Sequence, residues 1–101
     1  MGRLLFAGKV RASRAVLGWS QTELGRRAGI TQRAVYCIEN ALNRPRKVTE
    51  QQIEASFTEA GLVFTFMFDG GFTMTVPFAA IGRSGSSVAS QKRLERRRKV
   101  K

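Results

Sequence analysis

The chain has 101 residues, enough for one domain with a small core, and its 18 Lys and Arg against 7 Asp and Glu give a net charge of +11. With no His and one cysteine, Cys37, it has neither the ligands of a His/Cys metal cluster nor the pair for an internal disulfide. No Ser/His/Asp set, Cys/His set or phosphate-loop pattern is present, so neither enzymatic activity nor a cofactor is expected, and the charge favours a polyanionic partner, most plausibly nucleic acid.

The first residues, MGRLLFAGKV, hold an apolar run shorter than a secretory core, and nothing approaches the roughly 20 apolar residues of a membrane span. A cytoplasmic protein without a membrane partner is expected. A first helix is predicted over about residues 8–17, stopping before Gly18. Ser20-Gln21-Thr22-Glu23 reads as a capping box with Trp19 stapled to Leu24, opening a second helix that turns Leu24, Gly25 and Ala28 inward. After the joint Gly29-Ile30-Thr31, Thr31 caps a third helix, with Ile30 and Val35 as its staple. At 100° per residue, Ala34, Val35 and Ile38 share an inner arc with Glu39 at its edge; Gln32, Arg33, Tyr36, Cys37 and Asn40 share the outer one. A second capping box, Thr49 to Gln52 with Val48 facing Ile53, is expected to start a fourth helix that ends at Gly61. That helix turns Ile53, Phe57 and Ala60 inward and Glu50, Glu54 and Glu59 outward, which points it away from phosphates.

Two helices joined by three residues, the second with a polar outer face, have the geometry of a helix-turn-helix. The stretch LGWSQTELGRRAGITQRAVYCIEN resembles the lambda-type phage repressors and their bacterial relatives, the XRE family, on Gly18-Trp19-Ser20-Gln21, Leu24, Ala28-Gly29-Ile30, Val35, Ile38 and Glu39-Asn40. The resemblance covers about residues 8–61. It implies a mainly α fold: a lambda-repressor-like helix-turn-helix domain of about four helices in residues 1–61, here followed by a β-hairpin in residues 62–81 and a basic flexible tail in residues 82–101. The sequence departs from the family at Gly25, where Ala is usual, and at Ala41, where Gly is usual. The left-handed turn after the third helix is therefore expected at Asn40 or Asn43.

Gln32 and Arg33, in the first turn of the third helix, are expected to read base edges in the major groove, with Tyr36 and Cys37 one turn further on; Gln pairs with adenine and Arg with guanine, each good pair giving about 1–3 kcal/mol of discrimination. For Cys37 a small filler on a half-exposed face is the stronger reading. Gln21 matches the family residue that holds a phosphate at the start of the second helix, and Thr31, Asn40, Arg44, Arg46 and Lys47 are further phosphate candidates. The resemblance implies a structural ion pair between Arg14 and Glu39.

In LVFTFMFDGGFTMTVPF, Leu62, Phe64, Phe66, Phe68, Phe72, Met74, Val76 and Phe78 fall on even positions, a strand period on both sides of Asp69-Gly70-Gly71. Keeping them on one face requires paired positions with an even sum, and a loop of residues 69–71 pairing Phe68 with Phe72 and Phe66 with Met74 meets this. This face is expected to form a dimer interface of Phe64, Phe66, Phe68, Phe72, Met74 and Val76; covering the chain's own helices, or clasping a different protein, are the alternatives. Residues 82–101 hold eight basic residues and one acidic, a linker and arm suited to phosphates.

The expected function is a dimeric, sequence-specific transcriptional repressor that reads a palindromic operator in double-stranded DNA. The alternative is the antitoxin of a toxin-antitoxin pair, holding a toxin as protein partner and regulating its own gene through the same domain. A basic RNA- or membrane-binding protein is a third reading, disfavoured by the helix-turn-helix spacing.

Overall fold

The computed structural model describes residues 2–81. Four helices, α1 (Arg3–Leu17), α2 (Gln21–Ala28), α3 (Gln32–Glu39) and α4 (Lys47–Glu59), precede an antiparallel hairpin of β1 (Val63–Phe66) and β2 (Phe72–Thr75) and a 3-10 turn (Phe78–Ala80). Phe6, Val10 and Leu17 of α1 meet Trp19, Leu24, Val35, Ile38, Ile53, Phe57 and Leu62 in one core. Of the arcs read from the sequence, Leu24, Gly25, Ala28, Val35, Ile38, Ile53 and Phe57 are buried and Gln32, Arg33, Tyr36 and Asn40 exposed, while Ala34 and Ala60 of the inner arcs and Cys37 of the outer one are half-buried. Among the described residues no helix is long and apolar enough to cross a membrane.

Both outer helices start earlier than their sequence signals. Gly2 caps α1, and Gly8 lies inside the helix; burial of Phe6 and Ala7 before it offsets the roughly 1 kcal/mol that an internal glycine costs. For α4 the N-cap is Arg46, without a side-chain bond, so Thr49 and Val48 lie within the helix and Val48 is exposed. Ile53 and Phe57 set the inward face of α4, and the helix runs back to Lys47, with Arg46 in extended geometry (φ −64°, ψ 154°) as its cap. At α2 only half of the expected box forms: Ser20 Oγ accepts from the Glu23 N–H at 3.0 Å, but the Glu23 carboxylate turns to Arg26 and Arg27, both at 2.6 Å. Hydrogen bonds from Arg26 and then Arg27 hold that carboxyl below its ordinary range. Thr31 caps α3 as expected, accepting from the Ala34 N–H at 3.0 Å.

The turn after α3 falls on neither asparagine. Asn40 has φ −98°, while Ala41 takes φ 54°. The Ala41 N–H donates to Ile38 and the Leu42 N–H to Cys37, the paired bonds of a Schellman motif whose left-handed position normally holds glycine. Gly18, Gly29 and Gly61 supply that conformation after α1, α2 and α4. The other departure from the resemblance has a steric cause. A Cβ on Gly25 would stand 2.7 Å from the carbonyl oxygen of Ile30, so α2 approaches the turn too closely for alanine.

The hairpin keeps the expected parity in a different register. Phe66 pairs with Phe72 and Phe64 with Met74, so sums of 138 replace 140 and the three-residue loop is Phe68-Asp69-Gly70. Gly70, at φ 91°, takes the left-handed position, and Asp69 Oδ1 accepts from the Gly71 N–H at 2.9 Å, which fixes this choice between two adjacent glycines. Leu62, Phe64, Met74 and Val76 pack on the helical core. Three of the residues assigned above to a dimer interface, Phe64, Met74 and Val76, are therefore taken up by the chain's own body, and Phe72 is half-buried with its ring 6.1 Å from that of Phe64. Phe66 and Phe68 remain outside.

Beneath the hairpin lies a buried cation. Lys9 is 1% exposed; its Nζ is 2.7 Å from a Glu54 carboxylate oxygen and 4.2 Å from the centroid of the Phe64 ring, with Phe66 at 5.4 Å and Phe72 at 5.7 Å. Glu54 thus leaves the free acidic face expected of α4 and joins α4 to α1. One turn on, the buried Ser13 hydroxyl is directed at Met74 Sδ, 3.6 Å away.

Replacing Ala41 by Gly relieves the left-handed strain and is expected to stabilise the fold by about 1 kcal/mol, read as a rise of several degrees in the melting temperature. Gly25→Ala is expected to lower it, although alanine is the better helix former by about 1 kcal/mol.

Candidate nucleic-acid interface

Glu39, at the end of α3, is 3% exposed and accepts from Arg14 of α1 and Gln21 of α2 through its two oxygens. Arg14 of α1 binds it with both Nε (2.7 Å) and Nη2 (3.0 Å), while Arg14 Nη1 donates to the Trp19 carbonyl at 2.9 Å. The Arg14–Glu39 ion pair implied by the resemblance is present. Gln21 adds its own amide, Nε2 donating to Glu39 at 3.0 Å, and its Oε1 accepts from Gln32 Nε2 at 2.7 Å.

The polarity of this chain of bonds is set by chemistry. A carboxylate only accepts, so Gln21 must offer it N–H; its oxygen is then left for Gln32, which must donate in turn. Gln32 keeps its Oε1 and one N–H for solvent or a ligand, at the exposed first turn of α3. An amide offering one acceptor and one donor side by side matches the N6 and N7 edge of adenine. Gln21 keeps one N–H, at the N-terminus of α2, where an anion is favoured.

Arg33, Cys37, Arg44 and Arg46 line one open groove of about 540 Å³ between α3 and the segment leading into α4, together with Thr31, Asn43 and Thr49. Arg33, Arg44 and Arg46 are exposed, Cys37 is half-buried, and Ala34 and Ile38 close the apolar side. Lys47 is exposed but outside the groove. Tyr36 is 46% exposed, and Asn40 donates from Nδ2 to the Tyr36 carbonyl at 2.8 Å, which ties its side chain to the helix end. Thr31 is exposed with its hydroxyl engaged as the cap.

Two features escape sequence inspection. α4 starts at Lys47 without a side-chain cap, so its first-turn N–H groups lack side-chain partners next to Arg46, two residues before the Thr49 box signals a start. Gln21 and Gln32, eleven positions apart, form one unit; only the close packing at Gly25 brings them together. Compared with known proteins, the chain matches no family model and no curated protein.

Because Glu39 is buried and Arg14 is its main counter-charge, Arg14→Met alone is expected to cost about 3 kcal/mol in chemical denaturation. The double change Arg14→Met, Glu39→Leu is expected to cost less than the single one, since no charge is stranded.

Proposed function

We propose that this chain is a sequence-specific DNA-binding transcriptional regulator of the lambda-repressor-like helix-turn-helix kind. In this reading α2, the joint of residues 29–31 and α3 form the motif, and α3 enters the major groove. Gln32 and Arg33 lead, Tyr36 and Cys37 follow, and the half-buried Cys37 has room only for a small contact such as a thymine methyl. Gln21, Thr31 and the uncapped start of α4 with Arg44, Arg46 and Lys47 grip the phosphates on either side. Two copies on a palindromic operator, excluding polymerase, give repression. The basic residues of the segment 82–101 lie outside the described residues and are assigned added phosphate contacts from their charge alone.

The observation that carries this reading is the pairing of Gln21 with Gln32 above a buried Glu39, which fixes the polarity of an amide at the tip of an exposed, cation-flanked helix. A solvated helix surface has no need of such ordering. Selection of bound duplexes from random DNA is the test: a palindromic consensus with half-sites about one helical turn apart is expected, and an unenriched pool defeats the reading. Arg33→Ala is expected to weaken operator binding by about 1–3 kcal/mol and to relax preference at one base pair per half-site, measured by titration against base-substituted duplexes.

A further inference from the structure

We infer that Glu39, although buried, decides which purine Gln32 prefers. This deepens the DNA-binding reading above and rests on it. Glu39 and Gln32 stand seven residues apart on α3, a rise of about 10 Å, and Gln21 of α2 spans the gap between them. Three hydrogen bonds enter the carboxylate. Arg14 supplies two, from Nε to Oε2 and from Nη2 to Oε1, which balance the charge and hold α1 to α3. The third comes from Gln21 Nε2 to Oε1 and brings no charge. What it imposes is direction, since the carboxylate can only accept.

The two ends of an amide have nearly the same shape and opposite hydrogen-bonding character, so an unrestrained Gln32 could present either. With Nε2 bonded to Gln21 Oε1 it shows a carbonyl oxygen and one N–H, the complement of adenine N6 and N7. Turned over, with Oε1 accepting from Gln21, it shows N–H groups, which the O6 and N7 acceptors of guanine take. The second arrangement also turns Gln21 over and sets its Oε1 against a Glu39 oxygen about 3 Å away, two acceptors with no proton between them. A glutamine at position 39 lifts that exclusion. With its oxygen in the place of Oε1 it keeps the bonds from Arg14 Nη2 and Gln21; with its oxygen in the place of Oε2 it keeps Arg14 Nε and donates to a reversed Gln21. Either way two bonds remain, and neither purine is favoured. Glu39 is thus a positioning residue that acts on the base through two amides.

The experiment titrates the full chain and Glu39→Gln, each below its melting temperature, against the selected operator and against duplexes carrying guanine for adenine at the base pair whose preference Gln32→Ala abolishes. The parent is expected to prefer adenine by about tenfold per half-site, and Glu39→Gln to bring the two purines within about threefold of each other. A variant that binds every duplex more weakly while keeping the parent's adenine-to-guanine ratio shows Glu39 to be structural only and overturns the inference. Glu39→Gln leaves Arg14 without its counter-charge, so the double change Arg14→Met, Glu39→Leu is measured beside it. That chain strands no charge and has no carboxylate to order Gln21; the same collapse of the ratio is expected, and a retained ratio again overturns the inference. If the parent selects a palindrome in which Gln32→Ala abolishes no adenine preference, the inference falls and the DNA reading stands. If the parent selects no duplex, both fall.

Discussion

A carboxylate almost without access to water must be satisfied from within, and Glu39 organises the helical body around that requirement. Its two oxygens draw Arg14 from α1 and Gln21 from α2. Arg14 also reaches the Trp19 carbonyl, so the connection between the first two helices is held by the same guanidinium. Desolvating the pair cancels much of its Coulomb gain, and two well-packed apolar residues could hold the helices equally well. What apolar residues cannot transmit is direction. The acceptor-only carboxylate orders the Gln21 amide, and through it the Gln32 amide on the outer face of α3.

Lys9 plays a comparable part beneath the hairpin, by different physics. An isolated two-stranded ribbon is marginal, and here it is fastened at its base by Leu62, Phe64, Met74 and Val76 against the helices. Lys9 places its ammonium against Phe64 and its counter-ion on α4, linking three elements through one cation. The fastening stops short of the turn. Beyond Phe64 the apolar positions that continue the same period are exposed: Phe66 keeps 63% of its surface in water although its ring lies 5.4 Å from Lys9 Nζ, and Phe68 is fully exposed.

Periodicity made the helices and their inward faces legible, because Val35 and Ile38, or Ile53 and Phe57, can satisfy burial in only one phase. Helix ends were less legible. The Thr49 box is a sound local signal, yet α4 begins at Lys47 with no side-chain cap, and α1 runs through Gly8 back to Arg3. The hairpin shows how far pattern goes: alternation fixed which residues share a face, while the register depended on which glycine turns left, a matter of Asp69 Oδ1 and a single backbone N–H. Lys9 was invisible as a core residue, since nothing in MGRLLFAGKV marks a lysine that will meet Glu54 and Phe64 far along the chain. On α3 the exposed residues Gln32, Arg33, Tyr36 and Asn40 share the face that periodicity predicts, with Cys37 half-buried among them. The bond between Gln21 and Gln32 depends on how closely α2 approaches the turn, which Gly25 permits and which composition does not record.

Gly25 and Ala41 bear on the same point from opposite sides. At Gly25 a residue of poor helix propensity is required because a carbonyl occupies the space a methyl needs. At Ala41 a methyl is retained where the backbone would be more at ease without it. The first shortens the distance between α2 and the start of α3, and the second holds the exit of α3 through bonds to Cys37 and Ile38. An eight-residue helix has little stability of its own. Held at its start by Thr31 and Gln21, at its end by the turn at Ala41, and underneath by Glu39, α3 is constrained along its whole length while its outer face stays free. Short, rigid and polar outward is the form in which a helix can present side chains to a groove at small entropic cost.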